Sequence, residues 1–191
     1  MDVTRVYHLP LQALRALETN DHACRFVLAD TAELRRLIAN ADIRIDEALL
    51  KLQASGEVIC FTATQGMDLL GYVWFAEKEV DPRHNTGGPQ FKGIGLTLDA
   101  GVCYLFKAFI APRFRGQQLM SRMIRAACET LSKRGFDKIV TTTDIDNQAF
   151  QKSIERIGFV MVGRAAEMTL FNRHAFCLPR LDDRVTLRRG D

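Results

Sequence analysis

The stretch that most constrains the fold of this chain runs from residue 110 to residue 120 and reads IAPRFRGQQLM. The apolar residues before it are typical of a buried strand, and those after it repeat at the spacing of an amphipathic helix. A strand therefore turns through Arg115-Gly116 directly into a helix. The first N–H groups of a helix lack intrahelical acceptors and lie at the positive end of its dipole, so this junction can hold a pyrophosphate. A plain polar turn before a helix accounts for the same letters.

A second junction begins 32 residues after Arg115, at Asn147. The run NQAFQKSIERIGF predicts a short helix that starts near Asn147 and stops at Gly158, with Phe159 opening the next strand. Two junctions at this separation favour a ligand site over a plain turn.

Together, the IAPRFRG and NQAFQKSIERIGF motifs resemble the two cofactor-binding motifs of the GNAT superfamily, the Gcn-type acyl-CoA-dependent N-acyltransferases. The resemblance extends from about Leu69 to Phe171. It implies an α/β (α+β) fold with a single mixed, mostly antiparallel sheet of about six to seven strands, helices on both faces and a splay between the two central strands. It also implies that acetyl-CoA or another acyl-CoA is the co-substrate.

The resemblance assigns residues to the parts of that co-substrate. Ala108, Phe109 and Ile110 are expected to contact the pantetheine arm and thioester through their backbone, and Asn147 the pantetheine side. The phosphate turn is expected to comprise Arg115, Gly116, Gln117, Gln118, Leu119, Met120 and Ser121.

The chain departs from the family pattern at three positions. Gln118 and Met120 stand where the family usually has small residues, and a Cβ there limits how closely the backbone approaches a phosphate. Ile154 stands where the family often has a tyrosine that protonates the departing thiolate. That tyrosine acid is therefore absent from its usual position.

Acyl transfer from a thioester to an amine needs a neutral nucleophile, donors for the carbonyl oxygen and a proton for the thiolate. Backbone N–H groups at the splayed end of the strand are expected to bind the oxygen. Deprotonating a lysine-type amine at pH 7 costs on the order of 4–5 kcal/mol, against roughly 1 kcal/mol for an α-amine. A lysine acceptor therefore has the greater need of a base.

Asp144 is the first candidate base, because it ends the strand before Asn147; a carboxylate that caps the next helix is the alternative. Tyr104, Glu77 and Asp99 are further catalytic candidates. His84 lies in a loop, where a solvated side chain is the simpler interpretation.

A chain of 191 residues suits one domain, and 47% hydrophobic and 26% charged residues are ordinary for a soluble protein. The formal net charge is only +3 and the basic residues are dispersed, so no nucleic-acid partner is expected. Neither a secretory signal nor a membrane span is predicted, and no sequence feature fixes the number of subunits. The chain is therefore expected in the cytoplasm, with a small-molecule or peptide amine as its acceptor.

The five cysteines are odd in number and contain no C-x-x-C pair, so they predict neither a disulfide framework nor a zinc site, and no metal is expected. Direct transfer is expected rather than a covalent intermediate, because Cys103 has no identifiable base partner. The five are Cys24, Cys60, Cys103, Cys128 and Cys177.

The whole chain, residues 1–191, is interpreted as a single GNAT-like acyltransferase domain. An N-terminal extension (1–24), a long inserted loop (81–100) and a basic C-terminal tail (173–191) are expected outside the minimal family fold. Strands are predicted at residues 5–9, 25–29, 58–63, 69–80, 101–110, 138–143, 159–163 and 167–171. Helices are predicted at 32–39, from 43 to near Gly56, at 117–134 and at 147–157.

Three functions remain open. An N-acyltransferase is favoured. A domain that binds acyl-CoA or an acyl carrier protein without efficient turnover is the second, because fold alone does not fix activity. An enzyme that takes a long acyl chain from a carrier protein is the third.

Overall fold

The computed structural model describes residues 2–17, 24–39, 45–80, 94–170, 173–177, 179, 181 and 184–189. The strands are β1 (Asp2–Pro10), β2 (Arg25–Ala29), β3 (Val58–Gln65), β4 (Asp68–Ala76), β5 (Glu79–Val80), β6 (Ile94–Leu98), β7 (Val102–Ile110), β8 (Lys138–Asp144), β9 (Val160–Leu170), β10 (Arg173–Cys177) and β11 (Val185–Arg189). The helices are α1 (Thr31–Ala39), α2 (Glu47–Ala54), α3 (Leu119–Lys133) and α4 (Gln148–Arg156). No helix among the described residues is long and apolar enough to cross a membrane.

Eight strands form one mixed sheet in the order β10-β9-β1-β8-β7-β4-β3-β2. Every neighbouring pair is antiparallel except β7 and β8, which are parallel. The predicted fold class is confirmed. The main sheet has eight strands rather than six or seven, because β10, from the predicted tail, adds an edge strand.

Hydrophobic residues fill a core on each face of the sheet, because side chains of a strand alternate between the two faces. On the α3 face, helices α3 and α4 pack against Phe61, Phe75 and Leu105. On the α1–α2 face, Leu34 and Leu49 of those helices belong to the same buried cluster as Trp74 and Tyr104. The apolar stripe of α3 is buried as its spacing predicts: Leu119, Met123, Ile124, Ala127 and Leu131.

Two segments differ in detail from the prediction. Residues 94–98, assigned to a loop, form β6, in which Leu96 and Leu98 are buried and pair with β11. Leu96 and Leu98 alternate with exposed positions as in a strand, but the neighbouring glycines at 93 and 95 led to the assignment of a loop. Residues 2–10 form β1, which lies inside the sheet between β8 and β9. The remainder of the predicted loop, residues 81–93 with His84, lies outside the described residues.

Candidate active site

Strands β7 and β8 are paired over only part of their length. Residues 102–105 of β7 pair with residues 138–141 of β8. Beyond that point β7 keeps β4 as its neighbour and β8 keeps β1, and no pairing joins β7 to β8 in these described segments. The predicted splay is therefore present. We call the space between residues 106–110 of β7 and residues 142–144 of β8 the opening.

A β-bulge in β7 explains where the opening begins. Phe75 pairs with Leu105 and Trp74 pairs with Lys107, so Phe106 is an extra residue in β7. A bulge bends its strand and increases its twist. Because Phe106 is the first residue beyond the β7–β8 pairing, the bulge turns β7 away from β8. The backbone edge of β7 that faces the opening, at Ala108 to Ile110, is thereby left for a ligand.

The turn after β7 carries two residues in the left-handed region, Gly116 (φ 78°) and Gln118 (φ 56°). Helix α3 then starts at Leu119, and its first intrahelical hydrogen bond runs from the N–H of Arg122 to the carbonyl of Gln118 (3.1 Å). The N–H groups of residues 119–121 precede that bond, at the positive end of the helix dipole. Residues 115–118 are exposed, so an anion can reach this end of the helix.

Arg115 folds back onto the end of β7. Its Nε donates to the carbonyl of Ile110 (3.1 Å), and its guanidinium carbon lies 5.9 Å from the centre of the Phe109 ring. The two terminal nitrogens of the fork remain for a phosphate. A Cβ built on Gly116 would meet no atom within 4 Å, so the space in front of this turn is open.

The two departures from the small-residue pattern have different surroundings. Gln118 is exposed and has the positive φ for which glycine is suited, with no side-chain hydrogen bond that caps the helix. Met120 is half-buried and packs against the core of the α3 face. The backbone turn thus forms without glycine at 118, at a cost in strain of about 1 kcal/mol.

Ser121 and Asn147 both have their side-chain oxygen engaged by the protein. The Ser121 hydroxyl is buried and donates to the carbonyl of Ser153 (2.9 Å), which ties α3 to α4. The Asn147 Oδ1 accepts from the N–H of Phe150 (3.2 Å) and caps α4. Only the backbone N–H of Ser121 and the side-chain amide NH₂ of Asn147 are left to meet a ligand. Ile154, at the position of the family tyrosine, is fully buried.

Asp144 is exposed at the end of β8. Its carbonyl accepts from the N–H of Asn147 (3.0 Å) and from the Nε2 of Gln151 (2.9 Å). Since the side chain of Asn147 caps α4, the capping role considered for Asp144 is filled by another residue.

Tyr104 is fully buried, and its hydroxyl is hydrogen-bonded to the hydroxyl of Thr142 on β8. Tyr104 pairs with Val140, and Thr142 and Asp144 follow at alternate positions, so these residues share one face of the sheet. The structure therefore brings Tyr104, Thr142 and Asp144 together along the α1–α2 face of the opening. Of these three residues, Thr142 was not proposed as a functional residue from the sequence. The alternation along β8, which places Thr142 on the same face as Asp144, could have indicated it.

The other catalytic candidates lie at the closed end of the β7–β8 pair. Glu77 follows β4 and forms an ion pair with Arg134 (2.8 Å). Asp99 lies three residues before Val102, the first residue of β7. The Cys103 thiol is buried on the α3 face, and burial raises its pKa well above the ordinary value, which disfavours the nucleophilic thiolate.

A cavity of about 280 Å³ adjoins the turn on the α3 face. It reaches the start of α3 through Gln117 and Leu119, and two arginines border it. Its lining residues are Cys24, Gln65, Leu70, Arg113, Phe114, Gln117, Leu119 and Arg122.

Comparison with known proteins identifies relatives of this arrangement. The family model described as Acetyltransferase (GNAT) family matches residues 28–159, which is more than half of the chain. The N-alpha-acetyltransferase 30 of Schizosaccharomyces pombe is 30% identical over 73 residues, which make up 38% of this chain and 49% of that protein. The chain thus matches about half the length of this curated relative.

Solved structures share the fold at low sequence identity. A GNAT-family acetyltransferase from Colwellia psychrerythraea has a TM-score of 0.56 and 19% identity, over 86% of this chain and 54% of that chain. An aminoglycoside acetyltransferase from an uncultured soil metagenomic sample has a TM-score of 0.51 and 13% identity, over 72% and 89%.

Proposed function

The chain belongs to the GNAT family of acetyltransferases, and on that premise we propose that it transfers an acetyl group from acetyl-CoA directly to an amine, with the α-amine of a peptide as the favoured acceptor. One observation carries this proposal: the free edge of β7 runs into the uncapped start of α3. A thioester on a pantetheine arm and a pyrophosphate need these two surfaces side by side.

Each part of the donor has a counterpart at the site. The pyrophosphate is held by the N–H groups at the start of α3 and by the Arg115 fork. The pantetheine arm lies along the edge of Ala108 to Ile110, with the NH₂ of Asn147 on its other side. Because α3 packs on one face of the sheet, the donor enters from the α3 face and its acyl carbon meets the amine from the α1–α2 face.

The chemistry is a direct displacement. The neutral amine attacks the thioester carbonyl, whose oxygen gains charge and is stabilised by backbone N–H groups at the free edge of β7. The C–S bond then breaks, the amine loses its proton and the thiolate gains one. Asp144 is the candidate for accepting the amine proton. Tyr104, linked to Thr142, is the candidate for supplying the thiolate proton, because Ile154 cannot.

An α-amine suits this site better than a lysine amine. The roughly 1 kcal/mol needed to deprotonate an α-amine at pH 7 does not require a strong base, whereas about 4–5 kcal/mol for lysine does. The similarity to N-alpha-acetyltransferase 30 supports the same choice.

Release of free thiol from acetyl-CoA tests the proposal, with peptides whose only amine is either the N-terminal α-amine or a lysine side chain. Turnover of the α-amine peptide is expected. Coenzyme A binding without turnover of any amine would replace this proposal with the second candidate, a domain that binds acyl-CoA without catalysis, which the buried Ile154 favours. Turnover only with a long-chain acyl-carrier donor would favour the third.

Asp144→Asn tests the assignment of the base. The rate should fall most at low pH, where the acceptor amine is protonated and needs a base, and should recover above the pKa of the amine. A uniform loss at every pH would argue for a structural role. Tyr104→Phe retains the ring and removes the hydroxyl, so it tests the acid with little change in packing.

A further inference from the structure

Lys107 is a charged residue in the otherwise apolar strand VCYLFKAFI, near the middle of the main sheet. Lysine is rarely placed in such a strand, because burial of its ammonium group is unfavourable unless an anion accompanies it. None of the roles derived for the donor site involves this side chain.

The bulge decides where Lys107 lies. It is the second residue beyond the last β7–β8 pair, directly opposite Trp74 of β4. Residues directly opposite each other project on the same face, and Trp74 belongs to the core of the α1–α2 face. Lys107 therefore stands at the narrow end of the opening on the face from which the amine arrives.

The nearest neighbours of Lys107 along the strand pair are aromatic, and no described residue forms an ion pair with it. Phe106 precedes it, and the rings of Phe109 and Tyr72 stack two residues further along the strand pair (5.6 Å between centres). None of the ion pairs among the described residues includes Lys107, which is half-buried. A cation so placed attracts an anion more strongly than one in bulk water.

Two buried polar groups on the same face as Lys107 also lack hydrogen-bond partners among the described residues, one on the adjacent strand β4 and one on β3. The indole Nε1 of Trp74 and the hydroxyl of Thr62 have no hydrogen-bond partner within the described part of the chain, and both residues are fully buried. Thr62 pairs with Tyr72, so it lies on the same face as Trp74. Buried donors without acceptors are rare in folded proteins. Together with the ammonium group, they give this face a surplus of donors.

We propose that Lys107 is a specificity-determining residue that binds a carboxylate of the acceptor close to its reacting amine. The proposal rests on the proposed function and narrows it to acceptors such as peptides with an acidic second residue or free amino acids. Lys107 does not bind the reacting amine, because an ammonium group only donates hydrogen bonds and repels the protonated form in which an amine arrives. The carboxylate therefore orients the acceptor and leaves its amine directed at the thioester.

Matched acceptors test this inference with acetyl-CoA as the donor. One set consists of peptides that are identical except for Asp, Asn or Lys at residue 2. The other set compares a free amino acid with its amide, which distinguishes a side-chain carboxylate from an α-carboxylate. One of the two carboxylate acceptors should exceed its neutral partner in kcat/KM by about tenfold, the scale of a charge-assisted hydrogen bond.

Substitutions at Lys107 show whether this preference depends on its charge. Lys107→Met retains most of the stem and should abolish the preference, Lys107→Glu should reverse it towards the Lys peptide, and Lys107→Arg should retain it. Lys133→Met, on the exposed end of α3, is the matched control and should leave it unchanged. Melting temperatures establish that each variant is folded. If Lys107→Glu does not fold, Lys107→Met and Lys107→Arg still test whether the preference depends on the charge of Lys107.

Three results would overturn the inference. An equal loss for acidic, neutral and basic acceptors in Lys107→Met would mean a general effect on the amine or the fold. A Lys107-dependent preference for succinyl-CoA over acetyl-CoA with a neutral acceptor would place the carboxylate on the donor. If no acceptor turns over, the proposed function fails, but the inference about Lys107 can still be tested. Calorimetry then measures binding of the Asp peptide and of the free amino acid to the CoA-bound protein. Binding heats that are not reduced in Lys107→Met would contradict the inference.

Discussion

Helices α3 and α4 both begin just after one of the two diverging strands, yet their first turns are built differently. Helix α4 starts with Asn147, whose side chain accepts the N–H of Phe150. Helix α3 starts with Gln118, which has a left-handed backbone and no capping hydrogen bond from its side chain. The start of α4 is therefore capped by the side chain of Asn147, whereas the start of α3 has no side-chain cap.

We propose that the open start of α3 serves the ligand and that the capped start of α4 serves mainly the fold. An asparagine cap stabilises a helix by about 1 kcal/mol. Helix α3 lacks this stabilisation, and the left-handed backbone of Gln118 adds strain. Such a loss is tolerated when the open N–H groups meet an external acceptor. Variants at the two starts should therefore separate ligand affinity from stability.

The largest effect is expected from Arg115→Ala, which removes the guanidinium beside the open start of α3. Affinity for coenzyme A should fall by about tenfold to a hundredfold, the value of one or two charge-assisted hydrogen bonds. Calorimetric titration measures it. Arg113→Ala is the matched control, because Arg113 lies in the same turn but its guanidinium faces Asp68 at 3.8 Å, whereas that of Arg115 lies against the end of β7. Equal affinities in wild type and Arg115→Ala would remove the phosphate assignment.

At the capped start, Asn147→Ala should lower the free energy of unfolding by about 1 kcal/mol, which corresponds to a drop in Tm of about 2–4 °C for a chain of this size. Asn147→Asp keeps the capping oxygen and removes the NH₂. It should therefore retain stability and lose affinity for coenzyme A. If the Asn147→Asp variant and the wild type bind coenzyme A with equal affinity, Asn147 serves only the fold.

Ser121→Ala tests the hydrogen bond that ties the two helices together. The Ser153 carbonyl would lose its donor, and the free energy of unfolding should fall by about 1 kcal/mol. Affinity for coenzyme A should change less than in Arg115→Ala, because only the backbone N–H of Ser121 is offered to the ligand. Chemical denaturation and calorimetry on the same sample compare the two quantities. A loss of affinity as large as that of Arg115→Ala would mean that the hydroxyl leaves α4 to bind the phosphate.

The smallest effect is expected from Gln118→Gly, which restores the small residue at the left-handed position. Relief of strain and the greater freedom of glycine in the unfolded chain oppose each other, so the free energy of unfolding should rise by less than about 1 kcal/mol. Affinity for coenzyme A should increase severalfold if the Cβ keeps the phosphate at a distance. Gln117→Gly, at the neighbouring position, is the control. A weaker affinity in Gln118→Gly would show that the glutamine side chain itself binds the donor.

Much of the local structure follows from the sequence. The apolar run of β7, the alternation in β8, the helical stripe of α3 and the stop at Gly158 all identify their elements within a few residues. The Asn147 motif correctly predicts where α4 begins. These features are local, so neighbouring residues determine them.

The sequence was less informative about the candidate site. It identifies Asp144 and Tyr104 as separate candidates, but not the link between Tyr104 and Thr142, which crosses from one strand to another 38 positions away. It also assigned residues 94–98 to a loop, because Gly93 and Gly95 interrupt their apolar pattern and because β11, one of the two strands that pair with them, lies about ninety positions later. Partners that are distant in the chain leave no local signal.

That a strand is followed by a turn at Arg115-Gly116 and an amphipathic helix is evident from the sequence, since the spacing of apolar side chains and the turn are properties of consecutive residues. The missing cap of that helix, the extra residue Phe106, the separation of β7 and β8 beyond it, and the position of Lys107 opposite Trp74 are evident only from the tertiary structure. The last three depend on the register between strands, in which a shift of one residue moves every side chain to the opposite face.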